Sequence, residues 1–257
     1  MTTITPVNQG SVLITGGSDG IGRGLAARYS AAGARVMVTG RTGEKLQRAA
    51  RELPGLEIFA NDISKPEERE KLAAHIRAVM PNLDLLINNA GIQRRIPLAA
   101  DVALWSERQV EIDALFAGPV HLNSLLIPMM LGHGRPSLVV NVTSGGAYLP
   151  QPFAPVYSAC KAALHSYTMN LRYALAGTSC RVVELIPPAV RTGLAGPNAT
   201  HGVLLDEFCD SVFAAIHAGD EEIGYGMTAT DDFNEPKRLY RALFEKLSPR
   251  FPVKTYL

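Results

Sequence analysis

A phenol and an ammonium stand four residues apart in Tyr157-Ser158-Ala159-Cys160-Lys161, and a hydroxyl, Ser144, lies thirteen residues upstream. On a helix, residues four apart share a face, so the Lys161 charge can lie beside the Tyr157 hydroxyl. A free tyrosine titrates at roughly pH 10. Bringing it to neutrality takes roughly 4 kcal/mol of preferential phenolate stabilisation, part of which a neighbouring cation supplies. A phenol poised in this way is a general acid or base for a carbonyl/alcohol pair. Taken alone, a Tyr and a Lys at this spacing read as a surface coincidence. Context must come from the rest of the chain.

The first thirty residues supply it. An apolar run of strand type at 11–15 opens directly into Gly16-Gly17-Ser18-Asp19-Gly20-Ile21-Gly22, and 23–29 continues with helical periodicity. A strand that turns through glycines into a helix N-terminus is a phosphate cradle, because glycine admits the anion to the backbone and the first amides face it. The spacing is wider than the dinucleotide fingerprint G-x-G-x-x-G.

Together, Thr15-Gly16-x-x-x-Gly20-Ile21-Gly22, Asn88-Asn89-Ala90-Gly91, Ser144 and Tyr157-x-x-x-Lys161 resemble the short-chain dehydrogenase/reductase family in order and spacing. The resemblance covers about residues 9–192. A narrower likeness, to the DltE-like subgroup of bacterial oxidoreductases, lies in Val142-Thr143-Ser144-Gly145, in Lys161-Ala162-Ala163-Leu164-His165-Ser166-Tyr167, in Leu171-Arg172-Tyr173 and in Glu184-Leu185-Ile186-Pro187-Pro188-Ala189-Val190. It implies catalytic roles for Ser144, Tyr157 and Lys161. It also implies a nicotinamide cofactor held by Gly16, Ser18, Asp19, Gly20 and Ile21, by Asn89, Ala90 and Gly91, by Pro187, Val190 and Thr192, and by Tyr157 and Lys161. Asp62, with Ile63 beside it, matches the residue that reads the adenine edge; an acid in a helix N-terminal turn is its plainer role. Asn89 is as well suited to bracing the sheet as to touching the cofactor. In the implied reaction a hydride reaches a carbonyl carbon while Tyr157 protonates the developing alkoxide and Ser144 holds that oxygen.

Two departures stand out. The helix before the fifth strand normally carries a relay asparagine where this chain has Leu115, and Asp113 and Asn123 are poorly spaced to replace it. Pro187-Pro188 stands where many relatives have Pro-Gly, which removes an amide donor and stiffens the segment. Leu115 keeps a second reading open, a non-catalytic NADP(H)-binding redox sensor on the same fold.

These residues need a frame. Apolar β-type runs recur at 35–39, 56–60, 83–88, 137–143 and 180–186, separated by helical segments at 43–53, 66–79 and 154–176. That alternation predicts an α/β fold, a single Rossmann-type domain over 1–257 with a doubly wound parallel sheet and helices on both faces. Residues 192–202, rich in Gly, Pro, Asn and Thr, suit a substrate lid. Helical segments follow at about 204–218 and 236–247. Formal net charge is +1, which points away from nucleic acid and anionic membranes. Cys160, Cys180 and Cys209 have no metal or redox spacing, and an odd number suits a reducing cytosol. The six histidines form no ligand motif, so no metal is expected. From the short polar N-terminus no signal peptide is expected, and no apolar stretch is expected to cross a membrane. A cytoplasmic enzyme is the expectation.

The second strand ends Val38-Thr39-Gly40-Arg41-Thr42, with no acid at the turn and Arg41 in place to clamp a 2′-phosphate. NADP(H) is therefore preferred over NAD(H), although Asp19 in the glycine loop argues the other way. The substrate is expected to be a small or medium carbonyl or alcohol. Gln93, Trp105, Tyr148 and Phe153 could line its pocket, with core or surface roles serving each as well. Arg94, Arg95 and Arg191 would suit an anionic substrate, but as loop arginines they read first as solvated charges. The family habit, and a segment at 154–176 with small and apolar residues on more than one face, predict a homodimer or homotetramer.

Overall fold

Seven strands form one all-parallel sheet, and their runs of Val, Leu and Ile reflect burial on both faces. The structure, a computed structural model, describes residues 10–195, 201–250 and 253–257. In chain order the strands are β1 (Ser11–Ile14), β2 (Arg35–Gly40), β3 (Glu57–Ala60), β4 (Leu83–Asn88), β5 (Ser137–Val142), β6 (Cys180–Ile186) and β7 (Glu222–Gly224). Their spatial order is β3-β2-β1-β4-β5-β6-β7. The chain therefore winds outward from β1 in one direction and from β4 in the other, which opens a crevice at the carboxyl ends of these two neighbours. The doubly wound parallel sheet expected above is the one found.

Period-two alternation decides which helix each strand residue meets. Val12 and Ile14 of β1 face a core shared with α1 (Gly20–Ala31), α2 (Gly43–Glu52) and α7 (Leu205–Ala218), through Leu25, Tyr29, Leu46 and Phe208. Leu13 faces the opposite core, built with α3 (Pro66–Val79), α5 (Gly118–Gly132) and α6 (Pro155–Ala174). The remaining helices are α4 (Trp105–Ile112) and α8 (Asp231–Leu247).

Three details differ from expectation. The helix 105–132 runs continuously through α4, a π turn at Asp113–Ala117 and α5, and is long and apolar enough to cross a membrane by length and composition. Half of its apolar window is buried inside the protein, with Leu122, Leu126 and Ile127 fully enclosed, which is the habit of a core helix. Helix α8 starts at Asp231 rather than 236, because Thr230 caps it and Pro236 is accommodated inside. The short strand β7 was not foreseen. Of the segment expected to form a lid, 196–200 lies outside the described residues, as does 1–9 of the expected single domain.

Candidate active site

The glycine loop is held by what lies beneath it. The Thr15 hydroxyl accepts from the amides of Asn89 (3.1 Å) and Ala90 (3.0 Å), and the Asn89 side-chain amide donates to the carbonyls of Thr15 (3.0 Å) and Gly16 (3.2 Å). Asn89 thus ties the end of β1 to the end of β4 while also lining the cleft. Gly16 has φ +65°, and a Cβ there would stand 2.7 Å from the Ala90 Cα. A Cβ on Gly22 would overlap the Asn89 amide nitrogen and approach the Gly16 carbonyl oxygen to 2.6 Å. The chain turns from strand to helix in a space that only glycine fills.

This cleft, about 830 Å³, extends from Arg41 past the glycine loop to Ser144 and Tyr157. Every residue expected to touch the cofactor or perform chemistry lines it, from Gly16 to Thr192. At one end Arg41 follows β2. Beside it Lys45, in the first turn of α2, donates to Asp19 at 2.8 Å. Asp19 also caps α1, accepting from the Gly20 amide at 2.8 Å. The hydrogen bond from Lys45 is the main cause that holds the Asp19 carboxyl below its ordinary range. Lys45 thus neutralises the acid that argued against a 2′-phosphate. The sequence reading missed it; its place four residues after Arg41, in the first turn of the next helix, was the signal. One oxygen of Asp62 accepts from the Ser64 amide (3.1 Å) and hydroxyl (2.7 Å), the turn role allowed for it, while the residue still lines the cleft beside Ile63.

These features fit a dinucleotide. The cradle excludes a Cβ at Gly16, and Thr192 reaches over Gly20, whose Cβ would meet its side chain at 3.3 Å. Cations stand at the far end of the same cleft.

At the other end the three candidate catalytic groups converge. Ser144 Oγ accepts from the Gly146 amide at 3.0 Å. The Gly145 amide donates to the Pro187 carbonyl at 2.9 Å, so the Pro187-Pro188 segment steadies the serine loop. Lys161 donates to the Val142 carbonyl at 2.6 Å, and its ammonium lies 5.7 Å from the centre of the Tyr157 ring. Burial pushes Lys161 down to about 8. Burial also pushes Tyr157 up, with a hydrogen bond to Ser144 pulling the other way and the Glu111 charge adding to the rise. The expected descent towards neutrality is therefore not what this arrangement produces. Enclosure penalises both charged forms, and the ammonium sits over the ring face while donating to a backbone carbonyl.

Leu115 occupies the π turn, fully buried against Tyr157, Ala154 and Cys160. Asn123 is absorbed in a buried network, accepting from Asn88 at 2.8 Å and donating to Asn141, and Asp113 accepts from Gln109 at 3.1 Å. Neither replaces the relay residue. One turn before Leu115, however, Glu111 is 1% exposed and accepts from the Arg94 amide at 3.1 Å; burial raises its carboxyl. Sequence spacing alone gave no reason to single it out.

A second missed constellation backs the serine. Glu184, fully buried on β6, accepts from Thr143 Oγ1 (2.7 Å) and the Tyr148 hydroxyl (3.0 Å), and its other oxygen lies 2.9 Å from His165 Nδ1. The loop 144–148 is clamped at both ends. Burial works to raise the Glu184 carboxyl, but its hydrogen bonds to His165, Thr143 and Tyr148 prevail and hold it low. A carboxyl depressed in the folded state stabilises above its unfolded pKa and loses that contribution as pH falls through the folded value. Glu184→Gln is therefore expected to lower the thermal midpoint by roughly 3–10 °C at neutral pH. Melts repeated under increasing acidity should show the gap to the parent closing below about pH 4.5. A constant gap would assign the loss to shape rather than charge.

Comparison with known proteins adds to this geometry. A family model described as short chain dehydrogenase matches residues 10–201. An oxidoreductase named DltE from Bacillus subtilis is 36% identical over 223 residues, covering 84% of this chain and 88% of that protein. A sulfoacetaldehyde reductase from Chromohalobacter salexigens is 33% identical over 184 residues, 70% of this chain and 72% of that one. Among solved structures, a short chain dehydrogenase from Burkholderia cenocepacia in complex with NADP superposes with a TM-score of 0.79 at 26% identity, covering 95% and 99% of the two chains.

Proposed function

The chain belongs to the short chain dehydrogenase family, and from that premise we propose an NADP(H)-preferring oxidoreductase acting on a small or medium carbonyl/alcohol pair, with Tyr157 as general acid/base. The observation that carries this reading is the shared cleft: the glycine cradle and the Ser144–Tyr157–Lys161 group line one continuous space. When bound, the nicotinamide supplies or receives the hydride. Ser144 donates its hydroxyl proton to the substrate oxygen and holds it against the phenol. Tyr157, kept protonated by burial, passes its proton to that oxygen as negative charge develops on it. Lys161 fixes the phenol from the ring face and offers its remaining protons to the cofactor ribose. In oxidation Tyr157 accepts the proton instead, for which it must first be a phenolate, a form that its raised pKa confines to more alkaline solution.

The redox-sensor alternative rests on Leu115 alone, and the relatives are named as a reductase and an oxidoreductase. A titration with NADPH and NADH, followed by nicotinamide absorbance against aldehydes, ketones and diketones, tests the proposal. Binding with turnover upholds it; binding without turnover across the panel favours the sensor; failure to bind either nucleotide removes both.

The preference for NADP(H) is tied to Arg41, with Lys45 beside it at the same end of the cleft. A charge-assisted hydrogen bond to a phosphate contributes about 1.5–3 kcal/mol. Arg41→Ala should thus raise the Kd for NADPH about tenfold or more and that for NADH by less than about threefold. Equal weakening would mean that Arg41 does not meet the phosphate. We also propose that the whole chain works as one domain, that the segment around 192–202 covers the substrate, and that the protein assembles as a homodimer or homotetramer.

A further inference from the structure

Three arginines near the cleft differ in what holds them. Arg94 forms ion pairs with Asp101 (3.6 Å) and Glu107 (3.8 Å). Arg191 donates to the Gly202 carbonyl at 3.0 Å. Arg95 lines the cleft and has no carboxylate within ion-pair distance among the described residues. The stretches outside them, 1–9, 196–200 and 251–252, contain no Asp or Glu.

Arg95 is exposed, yet its neighbours orient it. Its Nε donates to Gln93 Oε1 at 3.0 Å, and its guanidinium lies 5.3 Å from the centre of the Phe153 ring. Gln93 Nε2 in turn donates to Gln151 Oε1 at 3.4 Å. Gln151 is braced on both catalytic elements. Its amide donates to Ser158 Oγ, next to Tyr157, and its side chain packs so close to Gly146 that a Cβ there would meet it at 3.2 Å. Donation therefore runs in one direction, from Arg95 through Gln93 to Gln151, and leaves only N–H groups unspent at both ends of the chain. The cleft's acids, Asp19 and Asp62, belong to the nucleotide end. A cation held by Gln93 and an aromatic face, in the cleft that Ser144 also lines and lacking a counter-ion, is a vacant half of a charge pair.

We infer that Arg95, positioned by Gln93 and Gln151, is the specificity residue that receives a carboxylate carried by the carbonyl substrate. This inference rests on the oxidoreductase reading and narrows its substrate class to oxo acids and hydroxy acids. The planar guanidinium fork matches a carboxylate in two-point contact. A dianionic phosphate would call for a second cation, and Arg94 is already engaged.

The test compares kcat/KM with NADPH for succinate semialdehyde, its methyl ester and butanal, in the parent, Arg95→Met and Arg95→Lys. In parallel, calorimetry measures succinate binding to the NADP+-saturated protein. The parent should favour the acid over the ester by about ten- to hundredfold. That ratio should fall to near one in Arg95→Met and stay intermediate in Arg95→Lys, which keeps the charge without the fork. Succinate affinity should drop about tenfold or more in Arg95→Met. An ester preferred by the parent, a ratio unmoved by Arg95→Met, or succinate binding that ignores the substitution would overturn the inference. If NADPH binds and the ester and butanal turn over with no preference for the acid, the enzyme reading stands and this inference falls. If nothing turns over, succinate binding decides alone, and failure of NADPH to bind removes the parent reading instead.

Discussion

Tyr157→Phe is expected to cut turnover by about a thousandfold or more while nucleotide affinity changes by at most about tenfold. The substitution removes one oxygen and retains a ring that packs with Leu115, Ala154 and Cys160, so the fold has little to lose. What disappears is the proposed proton donor for the alkoxide and a hydrogen bond to Ser144. A positioned general acid contributes about a hundred- to ten-thousandfold, and its loss should appear in kcat with KM nearly constant. Single-turnover kinetics with NADPH already bound separate this from weakened binding. A variant that keeps a tenth of the parental rate would sink Tyr157 as the acid and transfer attention to Glu111, a buried carboxyl on that side that burial raises.

The second large effect belongs to the cradle. Gly16→Ala places a methyl group 2.7 Å from the Ala90 Cα and 3.1 Å from its amide nitrogen, at φ +65°. The left-handed conformation costs roughly 1–2 kcal/mol for a residue with a Cβ, and overpacking against backbone adds about 1–3 kcal/mol. The nearest atoms all belong to Ala90, whose backbone and short Cβ offer no flexible side chain to give way. We expect a loss of about 2–5 kcal/mol of stability and a nucleotide Kd raised about tenfold or more, read by chemical denaturation and by NADPH fluorescence titration. Gly43→Ala, where an added methyl group meets nothing within 4 Å, is the control and should leave both within error. Parental NADPH affinity in Gly16→Ala would mean that the loop does not approach the nucleotide.

Local sequence and distant contacts divide what could be read in advance. Strand, glycine turn and helix succeed one another at 11–29, so periodicity and backbone freedom announce that unit without reference to the rest of the chain. The same holds for Tyr157 and Lys161, whose spacing is a property of one helix. Glu184, His165, Tyr148 and Thr143 were each visible, some inside segments that carried the family likeness, but their union depends on β5, β6 and α6 packing together. The pairing of Lys45 with Asp19 was hidden for the same reason, spanning α2 and the loop before α1. Electrostatics misled most where burial mattered. The Tyr157–Lys161 spacing suggested a lowered phenol, and only the enclosure of both groups shows why the phenol rises instead. A helix start is expected at about 236, whereas Thr230 caps the helix and begins it earlier, at Asp231.

The order of the sheet also carries a kinetic consequence. No two neighbouring strands are joined by a hairpin, and the central pairing brings Ser11 of β1 to Leu83 of β4 across 72 positions. The crevice exists only once that long-range pairing has formed, so nucleotide recognition should be among the last properties regained on refolding from denaturant. Until then each half of the sheet presents unpaired parallel edges, the state most exposed to association with other chains. Added NADPH binds the finished molecule alone; it should therefore raise the final yield of refolding by mass action while leaving the early folding phases at their unassisted rates.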